Sequence, residues 1–338
     1  MIHVSAGDVT CRRAATDMLP APAGRFPTIT KVWADGGYTG SADEASRGAE
    51  ARRRSRLCWL RFTMSGGGGV DVNARACPAV LPCCRVTYGV GRSVLVGGFV
   101  FKPAEGTDDE VEWAASLFEK LASDSGFRVP LPLRAADGRC VVDGWTASEF
   151  LTGQPGPEGH WTGVLGAGRA FHNTLRHVPR PAFLDRHVHP WAVGDRVAWG
   201  EQVIDVIDDL AAPYSTLLEL RRPVGQDTAQ LIHGDLTGNV LFAPDQVPVV
   251  IDFSPYWRPP VFAEAIVVAD GLLCFDLPSV VLTAGSDHFD WPQMLVRALI
   301  FRLVAHSESA GPLGRARSGE PDRYARAAEM VVRQLATF

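Results

Sequence analysis

The chain has 338 residues, 46% of them hydrophobic and 21% charged, and a formal net charge of −5. That is a globular composition, long enough for two domains or one large two-lobed one with a sizeable core. The mild acidity argues against nucleic acid or a membrane surface as partner, and no apolar run reaches the roughly 20 residues that a bilayer crossing takes.

The opening MIHVSAGDVTCRR lacks a basic flank followed by an apolar core, so the expected compartment is the cytoplasm. Residues 1–49 hold one strand-like patch, TITKVWADGGYTG. The basic run EARRRSRLCWLRF follows, and its Arg52, Arg53 and Arg54 read as a solvated segment rather than a nucleic-acid contact. Ser-Gly runs behave as flexible linkers, so SGGGG at 65–69 marks residues 50–79 as a linker. Five of the 7 cysteines, Cys11, Cys58, Cys77, Cys83 and Cys84, fall in this first quarter. They form no CxxC pair and have no metal-ligand spacing with histidine, so reduced, incidental thiols are expected.

From residue 80 the pattern becomes regular. RVTYGVGRSVLVGGFVFKP alternates β-branched and aromatic residues with glycine pairs, as antiparallel hairpins do. TDDEVEWAASLFEKLAS then opens on a capping-box pattern, Thr107 and Glu110, and carries an apolar face of Val111, Ala114, Ala115, Phe118 and Leu121 at helical spacing. LPLRAADGRCVVDGW reads as a further hairpin turning at Asp137-Gly138. Residues 80–150 therefore form a β-rich lobe. Residues 151–338 are mostly helical, with helix-period apolar positions in VLGAGRAFHNTL, WAVGDRVAWGEQVIDVIDDL, YSTLLELR and DRYARAAEMVVRQLATF. The last places Tyr324, Ala328, Val331 and Leu335 on one side. The expected class is α+β, a small β-rich lobe followed by a larger helical one.

Inside the helical half lies LIHGDLTGNVLF, which reads as strand, tight polar loop, strand, with VVIDFSPYW soon after. Phosphoryl transfer needs a metal bridging phosphate oxygens, a cation on the phosphates and a carboxylate to orient the attacking hydroxyl. The strand–loop–strand hairpin carries such groups: Asp235 to accept the hydroxyl proton, and the Asn239 amide oxygen and Asp252 carboxylate for Mg²⁺, which prefers hard oxygen ligands. Asp245 falls in the intervening turn and is expected to be exposed. Lys102, at the end of FVFK, is the candidate cation for the α- and β-phosphates. Its partner on the following helix is Glu112 as first choice, or Glu119 on the same face. Gly89 and Gly91 in YGVGRS are candidates for a glycine loop approaching the phosphates.

Other polar residues read structurally. His233 is expected to bond its ring to nearby backbone, and Arg258 to pair with a carboxylate and pin its loop. His187 and His189 alternate in an extended segment with no cysteine nearby and no third ligand in view, so a structural role is expected. Trp145, Trp161, Trp191, Trp199 and Trp257 read as core or cleft wall.

HGDLTGN followed by VVIDF resembles the aminoglycoside-phosphotransferase-like branch of the protein-kinase-like fold, over about residues 83–338. That branch uses His-Gly-Asp where protein kinases use His-Arg-Asp, and an Asp after an apolar strand in place of Asp-Phe-Gly. GRAFHNTL, RPAFLDRHVHPWAVGDRVAWGE and IDFSPYWRP resemble an actinobacterial subgroup within it. The resemblance implies a two-lobed kinase-like fold with ATP between a nucleotide-binding lobe (80–150) and a catalytic and substrate lobe (151–338). It implies Asp235 as catalytic base, Asn239 and Asp252 as metal ligands, Lys102 as phosphate-binding lysine, and Asp270 as a brace for the catalytic loop. The implied activity is ATP- and Mg²⁺-dependent phosphate transfer to a hydroxyl of a small molecule. Two departures support an alternative, a catalytically degenerate nucleotide- or partner-binding protein. Asp235 and Asn239 are four apart where protein kinases space them five, and the glycine loop is poorly formed. Separately, HVSAGDVTCRRAATDMLP and RFPTITKVWADGGYTG resemble part of a DDE-type insertion-sequence transposase, with Asp35 at a metal-binding position. A two-metal site needs all its carboxylates, so residues 1–49 are expected to be a remnant without that activity.

Overall fold

The structure, a computed structural model, describes residues 93–121 (except 97), 126–225, 228–284, 287–310 and 314–335, with two short strands upstream. Those strands, β1 (Val32–Trp33) and β2 (Trp59–Leu60), pair antiparallel. The rest of the transposase-like stretch, with Asp35, the rest of the linker, the first-quarter cysteines and both Gly89 and Gly91 lie outside the described residues. The arrangement is α+β and two-lobed, with a β-rich N-terminal unit and a larger helical C-terminal one.

In the first unit, β3 (Val94–Val96) and β4 (Phe99–Pro103) form the expected antiparallel hairpin. Helix α1 (Asp108–Leu121) follows directly after Thr107, whose carbonyl accepts from the Glu110 and Val111 amides and whose hydroxyl donates to Asp109. Strand β5 (Trp145–Glu149) completes a sheet of order β3-β4-β5, setting Lys102 opposite Thr146. The segment before β5 departs from expectation. A turn does form at Asp137-Gly138, with Gly138 N–H donating to Ala135 O at 2.9 Å, but no paired strands flank it. The chain instead reverses at a second Asp-Gly pair, Asp143-Gly144, where Val142 and Trp145 exchange backbone bonds at 2.9 Å. Meanwhile Leu131 and Leu133 bond to β5. The amide of Cys140, between the two turns, donates to the Glu112 carboxylate, so α1 holds this stretch away from a partner strand.

The second unit takes in residues 126–128 as well as residues 152 onward. Its helices are α2 (Trp161–Leu175), α3 (Pro190–Ala198), α4 (Asp208–Leu220), α5 (Pro260–Cys274), α6 (Trp291–Glu308) and α7 (Glu320–Leu335). The single helical stretch read in WAVGDRVAWGEQVIDVIDDL is two helices. Gly200, at φ +77°, takes the left-handed conformation that closes α3, and the chain re-enters a helix only at Asp208. Helices α5 and α6 are buried along almost their whole length, with Phe262, Trp291 and Phe301 near zero exposure. On α7, Tyr324, Ala328 and Val331 are buried, as their spacing predicts.

The strands flanking the polar loop correct the hairpin reading. Strand β7 (Gln230–His233) pairs antiparallel with β10 (Pro255–Arg258), not with its neighbour in sequence. Strand β8 (Val240–Phe242) lies between β6 (Gln154–Pro155) and β9 (Val249–Val250), and Arg128 bridges to Val249. The β8–β9 hairpin is thus nested within the β7–β10 pair. Gly234 N–H donates to Ser254 O at 2.9 Å, so the β7 end is occupied from the β10 side and the loop passes into the other sheet. Asp245 lies exposed in the β8–β9 turn.

Candidate active site

The loop at residues 234–239 is held by the ring of His233, which has no exposed surface. Its Nδ1 accepts from the amides of Asp235 (3.2 Å) and Ser254 (3.4 Å), so Nε2 carries the proton and donates to Ile251 O at 3.1 Å. One neutral imidazole thereby ties together the starts of both loops that carry the candidate carboxylates. Phe171 and Phe253 meet it edge-on, with ring centroids 6.2 and 5.5 Å away. The glycine of His-Gly-Asp also has a local cause. A Cβ at Gly234 would lie 2.4 Å from the Tyr256 ring on β10, so no larger residue fits without moving that ring.

Asp235 is anchored at both carboxylate oxygens. Oδ1 accepts from Arg302 Nη2 at 2.9 Å, and Oδ2 accepts from Asn239 Nδ2 at 3.2 Å. Arg302, on α6, is buried and grips Asp270 of α5 bidentately, Nε to Oδ1 at 2.7 Å and Nη2 to Oδ2 at 2.6 Å. Those carboxylates hold the guanidinium pKa above its ordinary value, against burial acting the other way. The bracing expected of Asp270 therefore runs through Arg302, which sequence reasoning missed. The Asp235 side chain keeps 43% of its surface exposed, so it remains open to a reacting group.

Asn239 Nδ2 donates to Asp235 O at 2.8 Å as well as to the carboxylate. Both partners are acceptors, which fixes the amide orientation, and Asn239 Oδ1 accepts no hydrogen bond among the described residues. Ile251 N–H donates to Asn239 O at 3.0 Å, continuing the β8–β9 ladder and bringing Asp252 within one residue of Asn239's partner. Asp252 is exposed and sits at φ +48°, a left-handed conformation that non-glycine residues adopt at a cost and that recurs at functional sites. A neutral amide oxygen and a carboxylate are hard donors of the type Mg²⁺ takes, so this pair fits that ion.

The remaining candidates fall in two groups. In the first unit, Lys102 is half-buried on β4. Glu112 accepts from Arg134 Nη1 (3.0 Å) and the Cys140 amide, and Glu119 accepts from Arg134 Nε (2.6 Å), so both candidate glutamates share Arg134. The Cys140 amide holds the Glu112 carboxyl below its ordinary value, and Arg134 does the same for Glu119. In the second unit, Arg258 on β10 pins its strand as expected, bonding Asp195 of α3 at 2.6 Å and Glu201 at 2.7 Å over the Trp199 ring. His189 caps α3, its Nδ1 accepting from the Ala192 amide at 3.2 Å, and its ring stands 5.0 Å from that of His187. Among the described residues no three His, Cys, Asp or Glu side chains cluster as a metal site, and no helix is long and apolar enough to cross a membrane.

Behind His233 lies a second buried histidine. His172 Nε2 accepts from the His233 amide at 3.0 Å, and burial lowers its pKa to about 3. Burial lowers the His233 pKa too. An unfolded histidine titrates near 6.5, so the unfolded chain takes up protons before the folded one does. The stability these rings contribute is present above pH ~6.5 and falls as the pH drops from there toward 3. At pH 4.5 His172 alone accounts for a loss of about 2–3 kcal/mol relative to pH 7. Urea unfolding of wild type and His172→Gln at both pH values checks this, and the variant should show the smaller drop. Asp195, whose carboxyl burial pushes up, acts in the opposite sense in both proteins and cancels in the comparison.

Compared with known proteins, the chain matches no family model and no curated protein. Among solved structures it is similar to a spectinomycin phosphotransferase bound to ADP and spectinomycin (13% identity, 71% of this chain and 87% of that one, TM-score 0.46). It is also similar to an aminoglycoside phosphotransferase from Alicyclobacillus acidocaldarius (16% identity, 78% and 97%, TM-score 0.45). A third is a choline/ethanolamine kinase family protein from Mesorhizobium loti (15% identity, 75% and 91%, TM-score 0.46).

Proposed function

We propose that the protein is an ATP-dependent phosphotransferase acting on a hydroxyl group of a small molecule. The observation that carries this reading is the Asp235 carboxylate, fixed at both oxygens by Arg302 and Asn239 yet 43% exposed. A carboxylate so held accepts the hydrogen bond of an incoming hydroxyl in one orientation, which is most of what phosphoryl transfer asks of a protein group. Asn239 Oδ1 and the Asp252 carboxylate are the residues that would hold Mg²⁺, which supplies charge neutralisation on the transferring phosphate. His233 keeps the Asp235 and Asp252 loops in register without itself moving a proton, because both its nitrogens are committed to backbone groups. Lys102 is proposed to bind phosphate oxygens; the partners expected for it on α1, Glu112 and Glu119, are both bonded to Arg134 instead.

A second reading, nucleotide or partner binding without turnover, draws on the Asn239 amide. With one residue fewer between Asp235 and Asn239 than in protein kinases, the amide nitrogen bonds back onto Asp235. The two readings part in an assay of ADP formation from Mg-ATP across a panel of hydroxylated metabolites. The first expects Mg²⁺-dependent turnover with at least one acceptor. Nucleotide binding without ADP formation from any acceptor supports the second.

A further inference from the structure

Away from the Asp235 loop, a pocket of about 350 Å³ opens where α3, α4 and α6 end or begin. Its lining includes Trp199, Gly200, Arg221, Arg222, Val224 and Arg297, three arginines and no acidic residue. Arg297 is 3% exposed and forms no ion pair among the described residues. Its Nη1 donates to Gln293 O and Oε1, at 3.2 and 3.1 Å, and its Nη2 to Arg222 O at 2.6 Å. Its Nε and the indole Nε1 of Trp199 are both buried donors without a partner. A guanidinium buried without a counter-ion costs several kcal/mol, so such groups are normally paired.

Helix ends soften that cost without cancelling it. Arg221 Nη1 donates to Val197 O at the end of α3, and Arg222 Nη1 donates to Glu219 O at the end of α4, so both sit in the negative field of a helix C-terminus. Those carbonyl bonds anchor one edge of each fork. Carbonyl dipoles do not neutralise three whole charges, and the Arg297 pKa falls to about 10 through burial and through repulsion from Arg221, with attraction from Asp290 only partly offsetting them. Three anchored cations around a pocket lined with donors but no carboxylate match an oxyanion of more than one charge, since planar guanidinium forks bind phosphate oxygens in pairs.

We propose that this pocket is an oxyanion site that takes a phosphate group, as free phosphate or as the phosphate of a small monoester. The test is calorimetry and thermal unfolding of the full chain with inorganic phosphate, with EDTA present, at constant ionic strength. Phosphate at about 10 mM should raise the unfolding temperature and bind saturably, whereas acetate should not. Glycerol phosphate alongside phosphate separates the sources: tighter binding of the ester indicates a phosphorylated metabolite, tighter binding of phosphate the free anion. Arg297→Met should lose the response and, without phosphate, unfold at the same or a higher temperature, because a buried unpaired charge is gone. A purely structural arginine predicts lower stability and an unchanged response. Should that variant not fold, the exposed Arg222→Gln serves, with phosphate binding weakened about tenfold by loss of one charge-assisted contact. Asp235→Asn should keep the full phosphate response, which separates this site from the proposed phosphotransfer centre. No saturable binding, an equal effect of acetate, binding unchanged in Arg222→Gln, or binding lost in Asp235→Asn would each overturn the proposal.

Discussion

Replacing Arg302 by alanine is expected to lower the unfolding free energy by about 3–5 kcal/mol, the cost of leaving a buried charge without its partner. The Arg302 side chain is 6% exposed and that of Asp270 8%, so once the guanidinium is removed, the Asp270 carboxylate has neither solvent nor a counter-ion. The Asp235 side of the bridge, at 43% exposure, contributes less, because solvent screens it. Chemical denaturation measures the effect. A double replacement, Arg302→Met with Asp270→Leu, should recover much of the loss, since two apolar groups of similar volume substitute for a buried pair at little net cost. A single variant as stable as wild type would mean that Arg302 does not brace α5, α6 and the Asp235 loop as one unit.

Asp235→Asn is expected to reduce turnover by about 10²–10⁴-fold, the usual contribution of a positioned general base, while leaving ATP affinity nearly unchanged. The variant keeps the shape of the side chain, and Arg302 retains both bonds to Asp270, so the fold should survive. A loss of turnover confined to kcat would place Asp235 at the reacting hydroxyl. A rise in the KM for ATP at constant kcat would instead assign it to nucleotide binding.

Much of this site was legible in one short stretch. His233, Asp235 and Asn239 in LIHGDLTGN mark the loop, because His233 Nδ1 and Asn239 Nδ2 both bond within a few residues along the chain. The structural role of His233 was also legible, as was the pinning by Arg258, since a lone polar residue in an apolar run must find a partner. Arg302 was not. It lies 67 residues from Asp235 inside a helix whose periodicity shows only that it is buried, and nothing local marks its target. Arg134, which gathers Glu112 and Glu119, was hidden for the same reason. Strand pairing was misread where it is non-local: β7 and β8 looked like a hairpin because they are adjacent in sequence, whereas β10 takes the β7 partner position. The break between α3 and α4 carried a local sign, Gly200 after an apolar face, that the longer helical pattern masked.

In the proposed phosphotransfer centre, Asn239 and Asp252 hold a metal on which nucleotide binding depends. Calorimetric titration of ATP into the full chain, with Mg²⁺ and with EDTA, checks this when repeated on Asp252→Ala. The expected result is saturable ATP binding that weakens at least about tenfold on removing Mg²⁺, as losing a charge-assisted contact of about 1.5–3 kcal/mol requires, and that weakens similarly in the variant. Binding that is indifferent both to Mg²⁺ and to Asp252→Ala would contradict it.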